Sequence, residues 1–200
     1  STQTDTWTSL ANMPYGVYYG SELEYLDGYV YAIFGAYQTA YARYSVANNT
    51  WELLADIPEL AYTGASLSSD GTNLYALTGN NTQNFYKYTV STNSWSALAG
   101  APATIRQGSD LVKVGDYFYT PRGNNSTTFY RYDISAGTWA TMSNLPGTMY
   151  DDVDITTDGT YIYVPRENNT ANFYRYTVAT DTWTSLTNLP ANARYGAAIY

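Results

Sequence analysis

Four aspartates crowd one stretch of the chain, Asp151, Asp152, Asp154 and Asp158. Paired carboxylates can hydrolyse a glycosidic bond, one acting as acid and the other as base or nucleophile. Grouped carboxylates can also attract Ca²⁺. Asp158 has a plainer use, because it precedes Gly159 between two strand-like runs, and Asp-Gly there signals a hairpin turn. Asp154 is spaced evenly with Glu22, Ser66 and Asp110. The preferred reading of these acids is the solvated rim of a mildly acidic protein, ahead of a cation site and well ahead of catalysis. The chain has no histidine and no cysteine. A Ser-His-Asp or Cys-His nucleophile is therefore excluded, and so are thiolate metal sites and a disulfide framework. No catalytic residue, metal site or cofactor is assigned.

Two other sets of residues invite recognition chemistry. Asn48, Asn80, Asn124, Asn125 and Asn168 each begin an Asn-x-Ser/Thr triplet, the acceptor pattern for N-linked glycans in a secreted protein. The competing reading is turn chemistry, since Asn accepts left-handed backbone angles. Tyr37, Tyr62, Arg106, Tyr150 and Arg194 are candidate binding or interface residues, as large side chains in or beside connecting segments where Tyr and Arg favour interfaces.

The elements that position these residues follow from one spacing. Trp7, Trp51, Trp95, Trp139 and Trp183 are separated by 44 residues each time. A proline follows each by seven residues, from Pro14 to Pro190, and tyrosines keep the same register at Tyr31, Tyr75, Tyr119 and Tyr163. The chain is thus a single repeat unit array over residues 1–200, with repeats at about 7–50, 51–94, 95–138 and 139–182 and a partial repeat at 183–200. Each repeat carries short runs rich in aromatic and β-branched residues, such as Leu74–Thr78 and Phe85–Val90, and no helical pattern. Four strands per repeat are expected: A (Gly64–Leu67), B (Leu74–Thr78), C (Phe85–Val90) and D (Ser94–Leu98). One such unit cannot offset the cost of ordering its own backbone, roughly 1–2 kcal/mol per residue. Four-stranded units of this length that bury both faces against neighbours define a β-propeller. The fold class is all-β, with the tryptophan-bearing faces hidden between blades.

The repeat resembles the kelch repeat, whose blades also build the galactose-oxidase type of propeller. The likeness rests on strand B ending in Gly ("YALTGNN"), "YKY" or "YRYD" on strand C, then "STNSW" or "ATDTW", then Leu and Pro, and on "NARYGAA" leading into strand A. It covers the whole chain. The usual double glycine is replaced by Gly35-Ala36, Gly79-Asn80, Gly123-Asn124 and Glu167-Asn168. The copper chemistry of galactose oxidase does not transfer, because its His and Cys are lacking. The resemblance implies six or seven blades, whereas this chain runs from a D strand at Trp7 through four complete sets to an A strand near Tyr200. Such ends expose backbone groups for pairing, or mark a processed product or excerpt.

Net charge is −8, which argues against nucleic acid, whose phosphates demand Lys and Arg. No run is long and apolar enough for a spanning helix, so membrane insertion is not expected. With 24 tyrosines and only 13% charged residues, the expected function is a non-enzymatic extracellular or cell-surface module. It is structural or adhesive, self-associating or bound to another protein through its strand ends, and able to polymerise into a filament or surface layer. The alternative is a lectin-like, carbohydrate-binding propeller.

Overall fold

A computed structural model of the chain describes residues 6–149, 154–165 and 170–193. Among these residues sixteen strands form four antiparallel sheets, each from consecutive sequence. The first blade contains β1 (Ser21–Leu26), β2 (Tyr29–Phe34), β3 (Tyr41–Ser45) and β4 (Thr50–Leu53). The second contains β5 (Ser66–Ser69), β6 (Leu74–Leu77), β7 (Phe85–Thr89) and β8 (Ser94–Ala97). The third contains β9 (Val112–Val114), β10 (Tyr117–Pro121), β11 (Phe129–Asp133) and β12 (Thr138–Met142). The fourth contains β13 (Thr156–Thr157), β14 (Tyr161–Pro165), β15 (Phe173–Thr177) and β16 (Thr182–Ser185). The inner strands β1, β5, β9 and β13 neighbour one another about an axis. This is a four-bladed β-propeller fold.

Side-chain alternation along each strand explains why blades stack. On β6, Leu74 and Ala76 pack toward the first blade with Tyr31 and Tyr41, whereas Tyr75 and Leu77 pack toward the third with Phe118 and Tyr132. Val114, Tyr119 and Phe129 join the third blade to Ile155, Ile162 and Tyr176 of the fourth. The first residue of strand C repeats one aromatic motif at the three junctions between consecutive blades. Tyr41 meets Tyr88 and Trp95 of the next blade, both at 4.9 Å between ring centroids. Phe85 meets Tyr132 and Trp139, and Phe129 meets Tyr176 and Trp183. Two residues further along the same face of strand C, Arg43, Arg131 and Arg175 lie over the rings of Tyr29, Tyr117 and Tyr161 at 4.3–4.4 Å.

Several expectations are corrected. No strand forms around Trp7: residues 6–13 are irregular, and the indole is 102% exposed rather than hidden. A D strand exists only by pairing with a C strand, and among the described residues none lies beside this segment. Strand A of the second blade lies two residues later than expected, and its strand C stops at Thr89 because Val90–Thr92 turn into a short 3-10 helix. The expected last A strand near Tyr200 lies outside the described residues.

The linkers between blades are held by a clamp. The indole Nε1 of Trp51, Trp95, Trp139 and Trp183 donates to the carbonyl of Ala11, Ala55, Ala99 and Ser143 at 2.8–3.2 Å, always 40 residues earlier. In three cases the N–H of the same linker residue donates to an Asn or Asp two positions before the tryptophan: Ala11 to Asn49 (2.7 Å), Ala55 to Asn93 (2.8 Å) and Ser143 to Asp181 (2.8 Å). The same Oδ1 accepts from the hydroxyls of Tyr44, Tyr88 and Tyr176. All three clamp residues adopt left-handed backbone angles, φ 47–54°, which Asn and Asp tolerate best. The third blade has Gly137 there, φ 68°, and a Cβ would sit 3.7 Å from the Tyr132 hydroxyl.

Asn93→Ala removes the acceptor of two donors and leaves the buried Tyr88 hydroxyl unpaired. It should lower stability by about 1–3 kcal/mol in urea unfolding. Gly137→Asn supplies the missing acceptor and should raise the urea midpoint. An unchanged midpoint for both variants would deny the clamp any energetic role.

Candidate functional site

The axis is lined by polar groups from strand A of every blade. Glu22, Ser66, Asp110 and Asp154 occupy one repeat position, on β1 and β5 or just before β9 and β13. The Asp110 carboxylate is tied to backbone on both sides. It accepts from Leu111 N at 2.6 Å and from Ile155 N, in the fourth blade, at 2.9 Å. Ser109 Oγ in turn donates 2.8 Å back to the Gly64 carbonyl. These bonds link the inner strands in sequence around the channel. Burial, the Ile155 and Leu111 amides that partly offset it, and the nearby Asp154 charge leave the Asp110 pKa at about 6. Burial raises Glu24 to about 7 despite a hydrogen bond from the Ser69 backbone, with the Asp110 charge adding to the rise. Glu22, Glu24, Asp110, Asp154 and Lys113 line a cavity of about 390 Å³ here. The sequence-predicted acids Glu22, Asp110 and Asp154 thus meet at the axis. Among the described residues, no three carboxylates converge as a metal centre.

Asp158 is in the β13–β14 turn, where Oδ1 accepts from Thr160 N and Tyr161 N and Oδ2 from the Tyr163 hydroxyl. Asp70 repeats all three bonds at Thr72, Asn73 and Tyr75. Asp151 and Asp152 lie outside the described residues.

The loops between strands B and C, with the linkers that enter strand A, form one face of the propeller. Each loop bridges the following linker: Gln38 to Ala61, Thr82 to Ile105, Ser126 to Met149 and Thr170 to Ala193. Tyr37 and Tyr62 stack across this junction at 3.8 Å between centroids and 15° between planes. One blade on, the equivalent pair is a hydrogen bond, Arg106 Nε to Asn81 Oδ1 at 2.5 Å, and Arg106 Nη1 also reaches Asn124 Oδ1 at 3.0 Å. Tyr150 and Arg194 lie outside the described residues. Tyr19 extends the aromatic set by meeting Tyr18 (4.6 Å) and Tyr62 (6.3 Å) edge to face. Tyr18, Tyr19, Glu22, Ser109 and Asp154 line a cavity of about 510 Å³ at this mouth of the channel. Close approach makes the mouth continuous, because a Cβ on Gly20 would strike the Tyr62 carbonyl and one on Gly64 the Arg106 carbonyl.

Of the Asn candidates, Asn48, Asn124 and Asn125 are exposed and Asn80 is half-buried. Asn80, Asn124 and Asn125 have φ of 50–56°, so turn geometry alone accounts for asparagine there. Asn168 lies outside the described residues. Sequence reasoning missed the aromatic stack and the linker clamp. Their signals were constant spacings, 25 residues from loop residue to linker residue and two residues from Asn or Asp to tryptophan.

No family model and no curated protein matches the sequence. In structure the chain is similar to YjhT, with a TM-score of 0.74 over 90% of this chain and 68% of that one, at 16% sequence identity. A likeness at that identity defines the class, a β-propeller, and nothing finer. No helix among the described residues is long and apolar enough to cross a membrane.

The acids at the axis set a pH dependence. Glu24 and Asp110 keep protons in the folded protein that unfolded carboxylates release near pH 4. Stability should therefore fall as pH rises from about 4 to 7. Asp158, lowered by the Tyr161 and Thr160 amides and the Tyr163 hydroxyl, and Asp133, lowered mainly by the Ala136 amide, act the other way. Their contribution is lost as pH drops below about 4. The melting temperature should peak in mildly acidic buffer, and Glu24→Gln should flatten its decline toward pH 8. A wild-type melting temperature that rises from pH 5 to 8 would contradict this.

Proposed function

We propose that the protein is a non-enzymatic structural or adhesion propeller of the cell exterior, joined to further copies of itself through its repeat ends. The observation that carries this reading is Trp7. It belongs to the motif Asp5-Thr6-Trp7, which repeats Asp181-Thr182-Trp183. Each of the four later tryptophans holds a linker, whereas Trp7 is 102% exposed. At the other end, Thr187 occupies the place that Ala55, Ala99 and Ser143 hold in clamped linkers, and it too is exposed. Trp7 of one copy on Thr187 of another would repeat the joint already used between blades. Head-to-tail joints of this kind build rings or filaments. The repeat is also read as a divergent kelch repeat, supported by Arg106 before Gly108 and by the strand B glycines.

Light scattering across a wide concentration range should show mass rising with concentration for the wild type. Trp7→Ala should suppress that rise while leaving the far-ultraviolet spectrum intact. A constant monomer mass for the wild type would overturn the assembly. The exterior location is supported by exposed Asn48. Passed through a eukaryotic secretory pathway, the protein should gain glycan mass that Asn48→Gln reduces by one chain, whereas Asn124, whose Oδ1 is engaged by Arg106, should stay unmodified.

A further inference from the structure

We infer that the channel mouth carries a binding site for a neutral saccharide, with Tyr37 as its stacking platform. Three independent features meet there. The first is backbone strain. Tyr37 has φ 59°, a left-handed angle that the sister loops give to Asn81 and Asn125. Only Gly, and to a lesser degree Asn and Asp, takes this region readily, and strained positions of other residues concentrate at functional sites. Tyr at this place needs a reason beyond making the turn.

The second feature is the ring itself. Tyr62 covers one face of Tyr37, at 3.8 Å, and the Tyr37 side chain is still 52% exposed. The stack fixes the ring without hiding it. A rigid aromatic face at low conformational cost suits the apolar C–H face of a pyranose.

The third is the polar surround. Arg106, Asn81 and Asn124 lie one junction further around the mouth, already hydrogen-bonded to one another and so held in place. Glu22 and Asp154 stand on the wall of the adjoining cavity of about 510 Å³. Fixed amides, a guanidinium and carboxylates can donate to and accept from a polyol. The charge balance selects a neutral sugar. Arg106 is committed to two amides, and the acids of the channel in a chain of net charge −8 repel an anionic one.

The test is saturation-transfer NMR with cellohexaose, mannohexaose and chitohexaose as probes. Choline chloride serves as a cationic comparison, because an aromatic cluster beside carboxylates also suits a quaternary ammonium. At least one oligosaccharide should receive saturation on its ring protons. Tyr37→Gly should weaken that binding about tenfold or more, equivalent to roughly 1.4 kcal/mol. Glycine fits the backbone angle better than tyrosine, so this variant keeps the fold. Tyr37→Phe retains the ring face and should stay within about threefold of wild type. Trp7→Ala should bind sugar normally, which separates this site from the assembly proposed above. The inference is overturned if none of the three probes receives saturation, if Tyr37→Gly binds as well as wild type, or if choline alone binds.

Discussion

A half-buried indole N–H has to donate somewhere, and in this molecule it always finds the linker of the preceding repeat. The linker peptide would otherwise cross between two sheets with its N–H and C=O poorly satisfied. The indole takes the carbonyl, and the Asn or Asp two residues earlier takes the N–H. A single linker residue is thus held through both its N–H and its C=O, and the chain is fixed at the point where it leaves one blade for the next. The aromatic packing of Tyr41, Phe85 and Phe129 against the next blade's Tyr and Trp depends on that placement. So does the bridge from each loop to the following linker.

The repeat, the four strands per unit and the Asp-Gly turn at Asp158 were legible in the sequence because they are local. A tryptophan every 44 residues, period-2 alternation and a turn dipeptide need no knowledge of what lies across the junction. The clamp was half legible. Asn49, Asn93 and Asp181 stand two before Trp, but their acceptor role appears only when the preceding linker is brought against them. The Tyr37–Tyr62 stack was less accessible still. Both residues were flagged for size and position, yet their contact is set by how far one blade rotates on the next, which no local propensity encodes. Trp7 went wrong for the converse reason. Its motif is that of a D strand, but a strand is a property of a pair.

The two ends of the channel divide the labour. Toward the interior, Asp110 and Ser109 tie inner strands together through backbone groups, and burial raises the pKa of Asp110 and Glu24 there. Toward the mouth, other repeat positions, those of Tyr37 and of Tyr62 and Arg106, carry tyrosines and a guanidinium. One scaffold carries both because the residues that set the stacking lie on strands B, C and D, leaving the loops and linker entrances to vary from blade to blade.

Among the described residues, three apolar clusters each draw on two adjacent blades, and a fourth, around Phe34, lies within the first blade alone. The clamps likewise reach back by one unit and never by two. These packing and clamp contacts therefore do not count blades, whereas the acids that meet at the axis do. A duplication or loss of 44 residues in register would create or delete one junction and leave the remaining ones chemically unaltered. So far as the junctions alone are concerned, array length is free to drift over evolutionary time, while the sequence of any single unit stays under the constraint of its immediate neighbour.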